Sequence, residues 1–365
     1  LTLSDDAKRA LLDRVEHERR RMANFGNAGT TEKMLDVAED KKELRIGDRR
    51  EKGIELTKEF ATTLIAEDFA RPHSETPAAV WKEIDALEGL ASAKAQLREI
   101  CDAIEWDRAM KKDPLAAFEP YIILDGPPGS GKTELAGLII RLMAAYDMIA
   151  SPEMTKSEGA ELQGKYVGSD TTDKVRNLGK RAWGAGLFMD EVGAIAESGG
   201  DFKKDVAAAL LTMTENHRGR FLLIVADYAD RVDNFLAMND GLRGRFGVRI
   251  HLEALSAESA TRLLGKKLAS QGLAMTKVEH VVAAEFARLR AAPDWSSGRD
   301  VRTLANTIAK AHKAAFQAAR RNDPTAQPTN EIGEATVRRV FAKLLGDRLV
   351  DHAHSKCGHA HGGEK

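Results

Sequence analysis

Apolar positions along this 365-residue chain change their spacing twice. From Ser4 to about residue 70 they form thin helical stripes in a charged background. Leu11, Leu12, Val15 and Met22 make one stripe, and Leu56, Phe60, Leu64 and Ile65 a second. Ser4 is a suitable N-cap, with Asp5 and Asp6 in the first turn. The spacing predicts two or three helices, with weaker structure over 24–31 and 47–53. Pro72 and Pro77 punctuate the end of this region. From Trp81, short apolar runs alternate with helical stretches. The runs fall at 121–124, 147–150, 186–189, 221–226 and 248–252, an alternation that predicts a parallel sheet with helices on both faces. Over 256–345 the pattern is helical throughout, broken by Pro324 and Pro328 before a last helix at about 331–346. Residues 351–365 are polar and rich in His and Gly, and read as a disordered tail. The resulting organisation is a helical extension or linker at 1–78, an α/β domain at 79–254, a helical subdomain at 255–346 and a His-rich tail at 347–365.

One boundary between strand and helix carries chemistry. The run Tyr121-Ile122-Ile123-Leu124 precedes Gly126-Pro127-Pro128-Gly129-Ser130-Gly131-Lys132-Thr133, and an apolar helical stretch follows. G-x-x-x-x-G-K-T between a strand and a helix is a phosphate-binding loop. Its glycines let successive N–H groups face one concavity, and the helix opening near Lys132 adds the positive end of its dipole. Lys132 is placed to reach the β- and γ-phosphates, the Thr133 hydroxyl to take a Mg²⁺ position, and Glu134 to border the loop. The cofactors implied are ATP and Mg²⁺.

Downstream, the strand Gly186-Leu187-Phe188-Met189 ends in Asp190 and Glu191. A carboxylate is a hard oxygen ligand for Mg²⁺ and a proton acceptor beside a γ-phosphate, so Asp190 is assigned to the metal and Glu191 to the general base. The next strand ends in Asp227. Its negative charge is at odds with a role in sensing phosphate. Arg243 and Arg245 sit on a short glycine-containing turn, where an arginine presented to a neighbour's γ-phosphate would spread transition-state charge.

The order of these pieces, with Asp85-Ala86-Leu87-Glu88-Gly89-Leu90 and Lys94 before the phosphate loop, Gly164-Lys165-Tyr166-Val167-Gly168 after it, and "SGRDVRTL" further on, resembles an AAA+ ATPase. More narrowly, it resembles the branch of CbbX, the red-type Rubisco activase, and stage V sporulation protein K. The resemblance covers about residues 81–346. It implies a homo-hexameric ring with ATP sites between subunits and loops lining a central pore. Lys132 and Thr133 then belong to Walker A, and Asp190 and Glu191 to Walker B. Tyr166, Val167 and Gly168 match the pore loop. Arg245 matches the arginine finger, with Arg243 as runner-up, and Arg299 matches the sensor-2 arginine, with Arg302 second. Three stretches depart from the family pattern: Asp227 stands where a glycine is usual, Val192-Gly193-Ala194-Ile195 follows the acidic strand, and Ser169-Asp170-Thr171-Thr172 follows the pore loop. The substrate of any one member therefore does not carry over.

Composition narrows the partners. Formal net charge is −1 and aromatics are 5% of residues, which offers nucleic acid no basic, aromatic surface. The widely separated Cys101 and Cys357 suggest no disulfide framework and fit a reducing, cytoplasmic setting. No run approaches the ~20 apolar residues of a membrane span, and the charged N-terminus has no signal-peptide core. The first residue is Leu1 rather than Met, which fits a fragment or a processed product. His352, His354, Cys357, His359 and His361 form a cluster able to bind Zn²⁺, Ni²⁺ or Cu²⁺ only if something rigid held it. The function expected is a remodeller that pulls a protein substrate through a ring pore. The alternative is an ATP-dependent switch or scaffold that recruits a partner without threading.

Overall fold

Four of the short apolar runs become the strands β1 (Tyr121–Asp125), β3 (Gly186–Asp190), β4 (Leu222–Asp227) and β5 (Val248–His251), which with β2 (Met154–Glu158) form one parallel sheet in the order β2-β3-β4-β1-β5. Met154 pairs with Gly186 and Glu158 with Asp190, while Gly186 pairs with Leu222 and Asp190 with Ala226. This register carries the acidic end of β3 to the same edge as the end of β4. The computed structural model describes residues 2–21, 27–69, 75–162, 169–199, 202–292 and 294–358. The chain divides into two compact units. One is Leu1–Ile84, Glu99–Ile123 and Thr133–Arg249, and the other is Asp85–Arg98, Leu124–Lys132 and Ile250–Lys365.

In the first unit, β3 and the first five residues of β4 are almost wholly buried. Burial on both faces explains why these strands read as continuous apolar runs. Helices α1 (Lys132–Ala145), α2 (Ser169–Arg181), α3 (Gly193–Glu197), α4 (Phe202–Asn216), α5 (Ala229–Leu236) and α6 (Asp240–Arg243) follow the strands. Leu187, Met189, Leu223 and Val225 pack with Val206, Leu210, Met213 and Phe235 in one core. At its floor the Tyr121 hydroxyl donates to the Thr214 carbonyl at 2.5 Å, and burial pushes the phenol up to about 12, so it remains a donor at neutral pH.

The run at 147–150 does not form a strand. Met148, Ile149 and Ala150 are buried in a turn whose amides, Ala150 and Ser151, donate to the Gly184 carbonyl. The strand instead begins at Met154 and reads Met-Thr-Lys-Ser-Glu, with only Ser157 buried. It is an edge strand, and polar side chains there block edge-to-edge pairing.

The N-terminal stretch also differs from expectation. One helix runs Asn27–Glu51, taking in 27–31 and 47–51 of the stretches expected to be weak, while 24–26 lie outside the described residues. Arg45 on this helix makes a two-pronged contact with the buried Asp68 carboxylate at 3.0 and 3.1 Å, which also accepts from the Ile65 amide. Thr2–Leu3 pairs in parallel with Thr63–Leu64 over a small core of Ala7, Ala38, Leu64 and Phe69.

The helical part of the second unit consists of α7 (Ala257–Ala269), α8 (Glu279–Arg290), α9 (Ser297–Asn322) and α10 (Glu334–Gly358) around Leu264, Val282, Phe286, Leu304, Ile308 and Phe341. Helix α10 continues past 346 to Gly358, so 351–358 is helical rather than disordered. Arg348 gives the physical reason: it bonds the Asp300 carboxylate and the Asp294 carbonyl, tying the extra turns to α9. The side chains of the His-rich cluster lie outside the described part, as do residues 359–365 entirely. Among the described residues, no helix is long and apolar enough to cross a membrane.

Candidate nucleotide site

The phosphate loop of the second unit is shaped by glycines that no other residue replaces without strain. Gly129 has φ +69°, and its carbonyl accepts from the Gly298 amide at 2.9 Å. A Cβ on Gly129 would stand 2.1 Å from the Ser296 carbonyl oxygen and 2.9 Å from the Arg299 amide nitrogen. A Cβ on Gly126 would stand 2.3 Å from the Leu252 carbonyl oxygen. Backbone therefore meets backbone on both sides of the loop, and the start of α9, with Arg299, is docked directly against it. Arg299 and Arg302 are both exposed, Arg302 lying farther along α9. The Lys132 ammonium folds over the loop and donates to the carbonyls of Gly126 at 2.8 Å and Pro127 at 3.2 Å. Ser130 is buried and its hydroxyl has no partner among the described residues. A loop of inward-facing backbone with a lysine and an unpartnered hydroxyl fits phosphate oxygens.

Gly129→Ala is expected to lower both stability and nucleotide affinity. The left-handed backbone alone costs an alanine about 1–2 kcal/mol, and the overlap with Ser296 adds to it because neither side can yield as a side chain would. Thermal unfolding and titration with a fluorescent ADP analogue, compared with Gly131→Ala, check this. Gly131 also has φ +94° but no atom within 4 Å of a built Cβ, so it isolates the backbone contribution.

In the first unit, Thr133 follows Lys132 in the chain. Its hydroxyl lies 3.5 Å from Asp190 Oδ2, while Asp190 Oδ1 accepts from the Glu191 amide at 3.1 Å. A hydroxyl and a carboxylate side by side fit a hard cation that keeps water and phosphate as its other ligands. Among the described residues no group of three or more His, Cys, Asp or Glu could hold a metal by itself. Glu191 is exposed and has φ +54°, a left-handed conformation rare for a side-chain-bearing residue.

Asp227, placed at the end of β4, is 4% exposed. Its two oxygens accept from the Gly193 amide at 2.8 Å and the Tyr228 amide at 2.7 Å. Arg245 is paired with Glu215 at 2.9 Å, whereas Arg243 is exposed and makes no ion pair among the described residues. Tyr166, Val167 and Gly168, with Gly164 and Lys165, lie outside the described residues. Sequence reasoning missed the contact of Ser296 and Gly298 with the phosphate loop. Its trace in the sequence is the small-residue run Ser296-Ser297-Gly298 just before Arg299.

Residues 122–254 match the family model described as "ATPase family associated with various cellular activities (AAA)". Residues 1–79, read from sequence as a helical extension, match a model described as "AAA lid domain". The chain is 32% identical over 193 residues to stage V sporulation protein K of Bacillus subtilis, covering 51% of this chain and 60% of that protein. It is 30% identical over 229 residues to protein CbbX of Cereibacter sphaeroides, covering 61% of this chain and 74% of that protein. The structure resembles the FIGL-1 AAA domain solved in complex with ADP, with a TM-score of 0.50 at 21% identity over 76% of this chain and 86% of that one. The AAA match spans the phosphate loop and the acidic strand, and the similarity to CbbX covers most of that protein: the chain belongs to the AAA ATPase family, in the branch of CbbX and stage V sporulation protein K.

Proposed function

We propose that this chain hydrolyses ATP with Mg²⁺ in a homo-hexameric ring and uses the work to remodel a protein substrate in the cytoplasm. The observation that carries the catalytic part is the placement of Thr133 beside Asp190, with Glu191 next in the chain. Mg²⁺, when bound, supplies charge neutralisation on the β- and γ-phosphates. The protein's residues do the rest. Thr133 and Asp190 would hold the metal, and Lys132 would exchange its loop carbonyls for phosphate oxygens. The Glu191 carboxylate accepts the proton of the attacking water. Arg299, at the start of α9 beside the phosphate loop, lets the helical part at 255–346 follow nucleotide state as a lid. An arginine from α6 or its end, Arg243 or Arg245, completes the site of the neighbouring subunit.

Tyr166, Val167 and Gly168 give the hydrolysis its purpose as a pore loop, where an aromatic ring grips an extended chain without reading its sequence. A ring trapped by Glu191→Gln, used as bait, identifies the client. On that client, Tyr166→Ala is expected to abolish remodelling and leave basal hydrolysis largely intact. Remodelling that survives would assign the chain instead to a nucleotide-dependent switch or scaffold. Sedimentation of the wild type with ATP is expected to give a sixfold assembly, and a monomer under those conditions would overturn the ring.

A further inference from the structure

We propose that Asp227 is a positioning residue that fixes the loop bearing Glu191 by capping two helices at once, rather than a group that meets the nucleotide. The proposal rests on the reading of Glu191 as general base. The geometry lies within the first unit. Helix α3 begins at Gly193, two residues after Glu191, and its N-cap residue Val192 provides no side-chain cap. Helix α5 begins at Ala229, and its N-cap Tyr228 provides none either. The first amides of a helix need an acceptor when buried. Asp227 supplies both: Oδ2 accepts from the Gly193 amide at 2.8 Å and Oδ1 from the Tyr228 amide at 2.7 Å. Its negative charge is favourable there because two helix N-termini converge on it.

The strap continues outward. Arg231, on α5, lies 3.7 Å from Asp227 Oδ1 and grips Glu197 at the end of α3 through two bonds, at 2.9 and 2.6 Å. The contact is close-packed. A Cβ on Gly193 would stand 2.8 Å from Asp227 Oδ2 and 2.6 Å from Arg231 Cβ. On the other side, Gly159 packs against the Glu191 carbonyl, where a Cβ would stand 2.5 Å from that oxygen. Glu191 is thus held in its left-handed conformation between Gly159 and the Asp227 strap. A conformation of this kind persists only where its surroundings impose it. The charge that looked misplaced beside a phosphate is occupied with backbone amides.

An asparagine cannot replace this carboxylate. One side of its amide would present a donor to a backbone donor, at either Gly193 or Tyr228. Asp227→Asn and Asp227→Ala are therefore both expected to lower kcat for ATP hydrolysis about tenfold, less than the 10²- to 10⁴-fold a general base contributes because the base is displaced rather than removed, with KM for ATP unchanged. In a Glu191→Gln background the same changes are expected to cost nothing further, because the group they position is gone. Hydrogen exchange of the peptide 190–197 is expected to accelerate in both variants while peptides from the rest of the sheet keep their protection.

Unchanged kcat, a rise in KM at constant kcat, or a loss that multiplies with Glu191→Gln would each overturn the proposal. Should the Asp227 variants not fold, Gly193→Ala pushes on the same contact from the other side and is expected to give the same kcat-only signature. A wild type that hydrolyses no ATP would overturn the catalytic reading. The exchange measurement would still report on the strap, and unaltered protection of 190–197 would overturn that as well.

Discussion

Glu191→Gln is expected to lower kcat for ATP hydrolysis by on the order of 10²- to 10⁴-fold, the span that a positioned general base contributes. ATP binding is expected to stay near wild type. The substitution keeps the size of the side chain and leaves the backbone bond from the Glu191 amide to Asp190 intact. It removes only the proton acceptor. Asp190→Asn should behave differently, because Asp190 stands beside Thr133 where the metal is expected, so Mg²⁺-dependent binding should fall along with turnover. Steady-state hydrolysis measured beside titration of a fluorescent ATP analogue separates the two. Turnover in Glu191→Gln equal to wild type would remove Glu191 from the mechanism and leave Asp190 to be reconsidered.

What singled out Glu191 in the sequence as the candidate base was context rather than composition. An apolar strand ending in two acids is common, and it gained meaning from a complete phosphate loop upstream. Three strands were legible for a related reason: β1, β3 and β4 are buried along nearly their whole length, so their sequences are continuous apolar runs. Strand β2 was not legible, because at a sheet edge its Lys156 and Glu158 face solvent while the apolar run before it fills a turn. The unbroken helix Asn27–Glu51 was hidden because what holds it, Arg45 on Asp68, joins residues far apart in the chain. The extension of α10 depends in the same way on Arg348 reaching Asp300. In the candidate site, the pattern pointed to residue types suited to phosphate, but not to what surrounds them. Asp227 looked like a charge in the wrong place because the amides it caps belong to Gly193 and Tyr228. The close approach of Gly298 to Gly129 is a backbone contact and leaves almost no mark on side-chain pattern.

Replacing the arginine finger is expected to be as severe as replacing the base, and the structure sharpens the choice between two candidates. An arginine supplied in trans to a phosphoryl-transfer site is worth about 10³- to 10⁵-fold in rate. Arg245 is the first candidate from the sequence, but it is paired with Glu215 at 2.9 Å and is only partly exposed. To reach a neighbour's phosphate it must leave that carboxylate. The pair is open to solvent and such pairs contribute about 0–1 kcal/mol, so the release costs far less than the finger gains. Arg243 is exposed and needs no release. If Arg245 is the finger, Arg245→Ala abolishes turnover, Arg243→Ala leaves most of it, and Glu215→Ala keeps or raises it by removing the competing carboxylate. If Arg243 is the finger, the two alanine variants exchange their effects and Glu215→Ala has none on kcat. Mixing the inactive variant with wild type at increasing ratios then tests whether the site is shared. A finger acting across the interface depresses activity more steeply than the fraction of mutant subunits in a ring whose subunits act in concert. A strictly proportional loss would mean subunits that act independently, and activity recovered on mixing the finger variant with Glu191→Gln, each inactive alone, then separates a shared site from one contained within a subunit.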